Sequence, residues 1–248
     1  MTFFSHSKGK CKMNMKTTTA SVVTLLCALQ PVHASESGAY YVELFGGGAK
    51  NLMGQPQSAS NRSGAYLNGV TDQTQLASGG IYGLRAGYAI SKSWRFDLSY
   101  CDTSNDFTWK TVFSPGNYAN FKGIVHTKSL IATGYYNFKP TGNVSPYVGL
   151  GLGASQKTLK SAAEYYSTTP YAYIENGDTT GLVYRLASGV DYGVTPQLKL
   201  NLNISAMHLG DVSSGPHRTI NGTKSSIGKY EFKDLALADI TLGLRYSF

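Results

Sequence analysis

The last segment of the chain carries Ile240, Leu242, Leu244, Tyr246 and Phe248, an apolar side chain at every second position and an aromatic at the end. Successive side chains of a strand point to opposite faces, so this segment offers one apolar face and one small or polar face. The same alternation recurs about eight times along the chain. A soluble sheet shows it too, so which side is greasy must be decided by the rest of the sequence.

Residues 1–34 have the composition of a secretory leader. Lys8, Lys10, Lys12 and Lys16 form a positive start, Ala20 to Leu29 an apolar centre, and Val32, His33 and Ala34 a cleavage site with a small final residue. The apolar run is about ten residues, against the roughly 20 that a spanning helix needs. Cleavage after Ala34 is therefore expected, leaving 35–248 as one domain. Cys27 follows Thr24, Leu25 and Leu26, which lack the small residues of a lipid-anchoring signal.

The formal net charge is +8, and it falls to +4 once the four leader lysines leave. That mild, scattered basicity argues against nucleic acid as a partner. Of three cysteines, Cys11 and Cys27 lie in the leader and Cys101 stands alone, so disulfides cannot staple the fold. Mean hydropathy is only −0.19. A transmembrane barrel need not score higher, because half of its strand residues face a polar interior.

Eight strands are predicted. The first, about 38–48, sets Tyr40, Val42 and Leu44 against Tyr41, Glu43 and Phe45; the second, about 79–90, sets Tyr82, Leu84, Ala86 and Tyr88 against Gly83, Arg85 and Gly87. After the Ser91–Ser93 turn, Trp94, Phe96, Leu98 and Tyr100 oppose Arg95, Asp97, Ser99 and Cys101. Further strands are read at about 129–138, 146–155, 181–192, 198–206 and 230–248, with Ile131 taken as interior packing and Ser188 breaking an apolar row. Links at 91–93, 139–145 and 193–197 are short. Those at about 49–78, 102–126, 156–179 and 209–229 are long and rich in Ser, Thr, Asn, Gly and Tyr. Short turns on one rim and long loops on the other fit a membrane barrel with the short turns in the periplasm. The fold class expected is all-β: an eight-stranded antiparallel up-and-down transmembrane β-barrel with four long extracellular loops.

The stretches SLIATGYYNF (129–138), SPYVGLGLGA (145–154), ASGVDY (187–192) and LGLRYSF (242–248) resemble the small outer-membrane β-barrel proteins, porin-like and OmpA-fold, and the related bacterial surface antigens. The similarity runs from about Gly38 to Phe248. It implies an integral outer-membrane protein of a Gram-negative cell, surrounded by outer-membrane lipid and lipopolysaccharide. It also implies that Tyr246 and Phe248 form part of an insertion signal read by the barrel-assembly machinery. With nothing after Phe248, the wall-tethering role of larger relatives is not expected.

Interior-facing charges are the most specific chemistry. The acids are Glu43, Asp97, Asp191 and Asp239; the bases are Arg85, Arg95, Arg185, Lys199 and Arg245. Near balance of sign is expected where buried charges must pair. Closing the barrel makes the first and last strands neighbours, so Glu43 and Arg245 should meet at similar height. Two readings stand: a packed polar core, since eight-stranded interiors are just filled by side chains, and a gate in a narrow pore for ions or small solutes. A rim constellation of His208, Asp211 and Ser213, or His126, is the candidate for a lipid-modifying enzyme, but the His-x-Ser-Asn pattern of lipid A deacylases is missing because Leu209 and Gly210 follow His208. No catalytic residue is assigned and no enzyme activity expected. Gly46, Gly47, Gly48 and Lys50 make no phosphate loop, as no Ser or Thr follows the lysine. No cofactor or metal site is read. The loop aromatics Tyr66, Trp109, Tyr118, Tyr165, Tyr166, Tyr171 and Tyr173 suit contact with host surface molecules, since tyrosine gives rigid contact area at low entropic cost.

Overall fold

A computed structural model describes residues 37–52, 70–114, 117–165 and 169–248. The expected leader, and the loop residues Tyr66 and Tyr166, lie outside them. Among the described residues eleven strands form, in chain order β1 (Ala39–Asn51), β2 (Val70–Ala89), β3 (Trp94–Ser114), β4 (Asn117–Asn137), β5 (Val144–Tyr165), β6 (Pro170–Ile174), β7 (Gly177–Gly193), β8 (Leu198–Ser213), β9 (His217–Ile220), β10 (Thr223–Ser226) and β11 (Glu231–Ser247). Eight of them close an antiparallel ring, β1-β2-β3-β4-β5-β7-β8-β11, with β11 returning to β1. The short β6, β9 and β10 continue the sheet from the far end of β5.

Tight connections occupy one rim. Ser91 Oγ accepts from the amides of Ser93 (3.3 Å) and Trp94 (3.1 Å), and Thr195 Oγ1 accepts from Leu198 N at 3.0 Å. These local side-chain bonds favour a turn over continued strand. At this rim Phe248 N donates to Tyr40 O at 2.9 Å, fixing the chain end to the first strand.

The strands run much further than lipid-facing alternation predicts. β2 to β5 are 20–22 residues long, whereas about 9–11 residues cross a bilayer. Most of the links read as long loops from their composition are paired strand: β3 meets β4 as far as Ser114 opposite Asn117, and β5 meets β4 as far as Tyr165 opposite Asn120.

The reason lies in the parity of the apolar positions. On the first half of β3, Trp94, Phe96, Leu98 and Tyr100 face outward and are exposed, while Arg95, Asp97 and Ser99 are buried in the lumen. Beyond Cys101 the sides exchange: Asp102, Ser104, Asp106, Thr108 and Lys110 face out, and Phe107 and Trp109 are buried. β4 does the same, with Leu130 exposed and Val125 and Phe121 buried. The molecule therefore has two storeys. The lower is apolar outside and polar inside, as a membrane demands. The upper is polar outside and apolar inside, like a soluble sheet.

Bulges adjust the upper storey. Ser161 (φ 53°) lets the inward face pass from Leu159 to Ala162, and Gly210 (φ 71°) and Asp234 (φ 54°) do so on the paired β8 and β11. A left-handed backbone costs most for a residue other than Gly, and the carboxylate of Asp211 accepts from Asp234 N at 3.1 Å there.

Candidate functional site

The lower lumen is crossed by a chain of ion pairs that follows from strand register. Glu43 lies opposite Arg245 on one side and Arg85 on the other. Its Oε1 accepts from Arg85 Nη1 at 2.5 Å; its Oε2 accepts from Arg245 Nε (2.9 Å) and Nη2 (2.6 Å). Arg245 Nη1 also donates to Asp191 Oδ2 at 2.6 Å, and Arg95 Nη1 donates to the same oxygen at 2.5 Å. Arg85, Glu43, Arg245, Asp191 and Arg95 thus link β2, β1, β11 and β7, and the Arg95–Asp191 pair crosses the ring to β3. Asn201 Nδ2 donates to Asp191 Oδ1 (2.6 Å), and Tyr147 OH and Asn203 continue the bonding toward Thr241.

The other lumen charges join beside this chain. Tyr41 OH donates to Asp97 at 3.3 Å. Arg185 Nε donates to Ser205 Oγ at 3.3 Å, and that hydroxyl donates to Asp239. Four guanidiniums and four carboxylates (Arg85, Arg95, Arg185, Arg245; Glu43, Asp97, Asp191, Asp239) fill the section with no formal net charge, all buried. Lys199 stands apart. It lines a vestibule of about 100 Å³ at the short-turn mouth, whose inner wall is Arg95, Asp191 and Arg245.

Lumen-facing glycines make room for these groups. A Cβ on Gly243 would lie 2.5 Å from Glu43 Oε1; one on Gly149 would strike the Tyr135 ring, and one on Gly189 the Tyr147 hydroxyl. Rings then cover the guanidiniums: Arg85 over Phe45 (4.1 Å), Arg95 over Tyr147 (4.3 Å) and Arg245 over Tyr41 (4.7 Å). Cation–π contact of this kind gains when desolvated.

A second barrier lies above. Trp109 stacks on Phe121 with centroids 4.8 Å apart and planes 3° from parallel, and Phe107, Tyr230 and Phe232 surround the pair. Leu159, Val183, Leu209 and Leu237 continue this core downward. Near its top, Arg218 and Glu164 form a buried ion pair at 2.6 Å. Composition had placed Trp109 on an exposed loop; it is 2% exposed and central. The signal that could have found it is the parity change after Cys101. Tyr118, Tyr171 and Tyr173 are exposed as expected, and Tyr165 is half-buried.

The histidine candidates do not assemble. His208 points outward, its Nε2 3.5 Å from Asp234 Oδ1; Ser213 instead bonds Thr179, and Asp211 caps the Asp234 amide. His126 Nε2 lies 3.4 Å from Ser104 Oγ on the outer surface. Among the described residues, no group of three or more His, Cys, Asp or Glu is placed to hold a metal.

At the outer end, Glu175 accepts from Lys224 Nζ (2.7 Å) and pairs with His217 Nδ1 (2.6 Å). These bonds, Lys224 first, hold its carboxyl down at about 2. A carboxylate lowered on folding stabilises above its unfolded value of about 4.3 and loses that effect as pH falls further. Amide protection of the β9–β10 hairpin is thus expected to fall between about pH 4.3 and 2, normalised for intrinsic exchange. In Glu175→Gln it should already be low at pH 6; equal protection in both proteins would refute the tie.

No curated protein matches the chain. Among solved structures, the fold matches OprG from Pseudomonas aeruginosa with a TM-score of 0.52 at 15% identity, covering 85% of this chain and 97% of that one. Neisserial surface protein A matches with a TM-score of 0.47 at 20% identity, covering 86% of this chain and 100% of that one. Ail of Yersinia pestis matches at 0.42 and 13% identity, covering 86% and 99%. The profile of the outer membrane protein beta-barrel domain matches residues 19–248. With that match over a closed ring of eight strands, apolar outside and charged within, the chain belongs to the outer-membrane β-barrel family and resides in the bacterial outer membrane.

Proposed function

We propose that the protein is a closed outer-membrane anchor, exported behind its leader, whose upper storey presents a rigid β-walled surface for contact with other molecules outside the cell. The observation that carries this reading is the double filling of the interior, by the Arg–carboxylate chain below and the Trp109–Phe121 cluster above. An interior of that kind leaves solutes no continuous path and puts the working surface outside. Tyr118, Tyr171 and Tyr173 are the exposed contact residues. Tyr246 and Phe248, rings 5.2 Å apart at the closing seam, are proposed to serve insertion by the assembly machinery.

The test is conductance followed by adhesion. The refolded chain in planar bilayers is expected to be electrically silent, and discrete openings that change in Glu43→Gln would establish the pore instead. Cells displaying the protein should bind host-cell monolayers, and Tyr171→Ser with Tyr173→Ser should lower that binding several-fold. Adhesion indifferent to those changes would remove the contact role from this surface.

A further inference from the structure

The short-turn mouth carries charge that the lumen does not balance. Inside, four guanidiniums and four carboxylates cancel. The vestibule beneath them adds Lys92, from the turn between β2 and β3, and Lys199, from the start of β8. Neither lysine has a carboxylate within ion-pair distance among the described residues. Lys199 also lies directly opposite Arg245 in the β8–β11 register. Like charges placed so destabilise a sheet. Glu43 and Asp191 answer Arg245, which leaves Lys199 as the uncompensated member of the pair.

Arg95 adds an independent observation. It is 5% exposed and forms part of the inner wall of the vestibule. Its Nη1 holds Asp191, but Nε and Nη2, the side-on edge of the guanidinium, have no acceptor among the described residues. The rings of Tyr135 (4.6 Å) and Tyr147 (4.3 Å) lie against the guanidinium and fix its plane. A guanidinium edge held this way can grip two oxygens of one anion. Ser145 and Ser247, in the same wall, add hydroxyls.

Size and donor arrangement narrow the ligand. The vestibule is about 100 Å³, a space of a few waters, which suits a small ion and excludes a nucleotide. Its donors come from β3, from β8 and from a turn, so they approach from different sides. A planar carboxylate would satisfy the Arg95 edge and leave the lysines bare, whereas the diverging oxygens of a tetrahedral group reach all three.

We infer that this mouth binds a free tetrahedral oxyanion, of the class of inorganic phosphate, from the periplasm, which the short-turn rim of an outer-membrane barrel faces. A phosphate esterified to lipid is held outside the ring of strands, while Arg95 and Lys199 line its inside. The site lies at the opposite end from the contact surface, so the outcome of the adhesion test leaves it untouched.

The experiment is equilibrium dialysis of labelled inorganic phosphate against the full refolded chain in uncharged detergent at low salt. Heat-modifiable migration confirms that each variant is folded. One phosphate per chain is expected, with Kd at or below about 1 mM, as two or three charge-assisted hydrogen bonds allow. Lys199→Gln should weaken binding about tenfold and Lys92→Gln by less, while Lys199→Arg keeps it. Lys139→Gln, on the same rim but outside the vestibule, should bind as the unaltered chain does. Sulfate should displace phosphate, and equimolar acetate should not. Absence of saturation by about 10 mM phosphate, or equal affinity in Lys199→Gln and Lys92→Gln, would overturn the assignment. Equal displacement by acetate would show a general attraction for anions and overturn it too. Displacement by micellar phosphatidylglycerol would assign the mouth to lipid headgroups instead of a free ion.

Discussion

Glu43→Gln is expected to lower the unfolding free energy by about 3–5 kcal/mol, the cost of leaving buried charges without their partner. The change preserves side-chain shape, so packing is nearly constant and charge is what is lost. The amide keeps one acceptor oxygen and turns an NH2 toward one of the two guanidiniums; Arg245 would keep its pairing with Asp191, but Arg85 would lose its one ion-pair partner among the described residues, where its Nε and Nη2 already have no acceptor. Urea unfolding from lipid vesicles provides the measurement. Adding Arg85→Met should recover part of the loss, because removing both charges also removes the desolvation cost that the pair had offset. A single-variant loss below about 1 kcal/mol would mean that water reaches the pair and that the lumen is wetter than its geometry implies.

Trp109→Ala carries the other large effect. Truncating a buried aromatic costs about 3–5 kcal/mol through lost transfer energy and the cavity left behind. Here the loss should be confined to one storey, because Trp109 packs on Phe107, Phe121, Tyr230 and Phe232 and on no lower-lumen group among these rings. The chain has two tryptophans, and Trp94 faces outward at the short-turn end against Tyr136. Trp94 fluorescence should therefore report an unchanged transition for the lower ring. Amide protection around Phe107, Trp109, Ala119 and Phe121 should drop by about two to four orders of magnitude, the same cost read locally. If the Trp94 transition moved with it, the two storeys would be one cooperative unit.

How much of this was legible in the sequence depends on which solvent each strand meets. Where lipid lies outside, apolar side chains must face out, and the alternation through Trp94 to Tyr100 or Leu198 to Ile204 gave strand, face and ring order together. Register then followed from closure, which brought Glu43 to Arg245. Above the lipid the same two-residue period persists with opposite parity. A reader following outward apolar residues sees the pattern fail at Asp102 and infers a loop, although Phe107, Trp109 and Phe121 keep the beat on the other face. The bulges at Ser161 and Asp234 hide it further by shifting phase within one strand. The lumen charges could be named one by one, but not their linkage, since Arg95 reaches Asp191 across the ring through space. Lys199 could not be told from them, because its position at the mouth depends on where β8 begins.

Building the outer part from paired strands also governs how the protein can be seen by anything outside. A molecule settling there meets side chains drawn from neighbouring strands, Lys128 beside Gln156 or Thr158 beside Asp178, which are far apart in the chain. A peptide copied from 102–126 would display Phe107, Trp109 and Phe121 alongside the outward residues, so it would resemble the intact surface poorly. Antibodies raised on such peptides would recognise the unfolded chain and pass over the living cell. Outward positions, meanwhile, can change one at a time without disturbing the core behind them, which gives this surface freedom to vary under selection while its frame stays fixed.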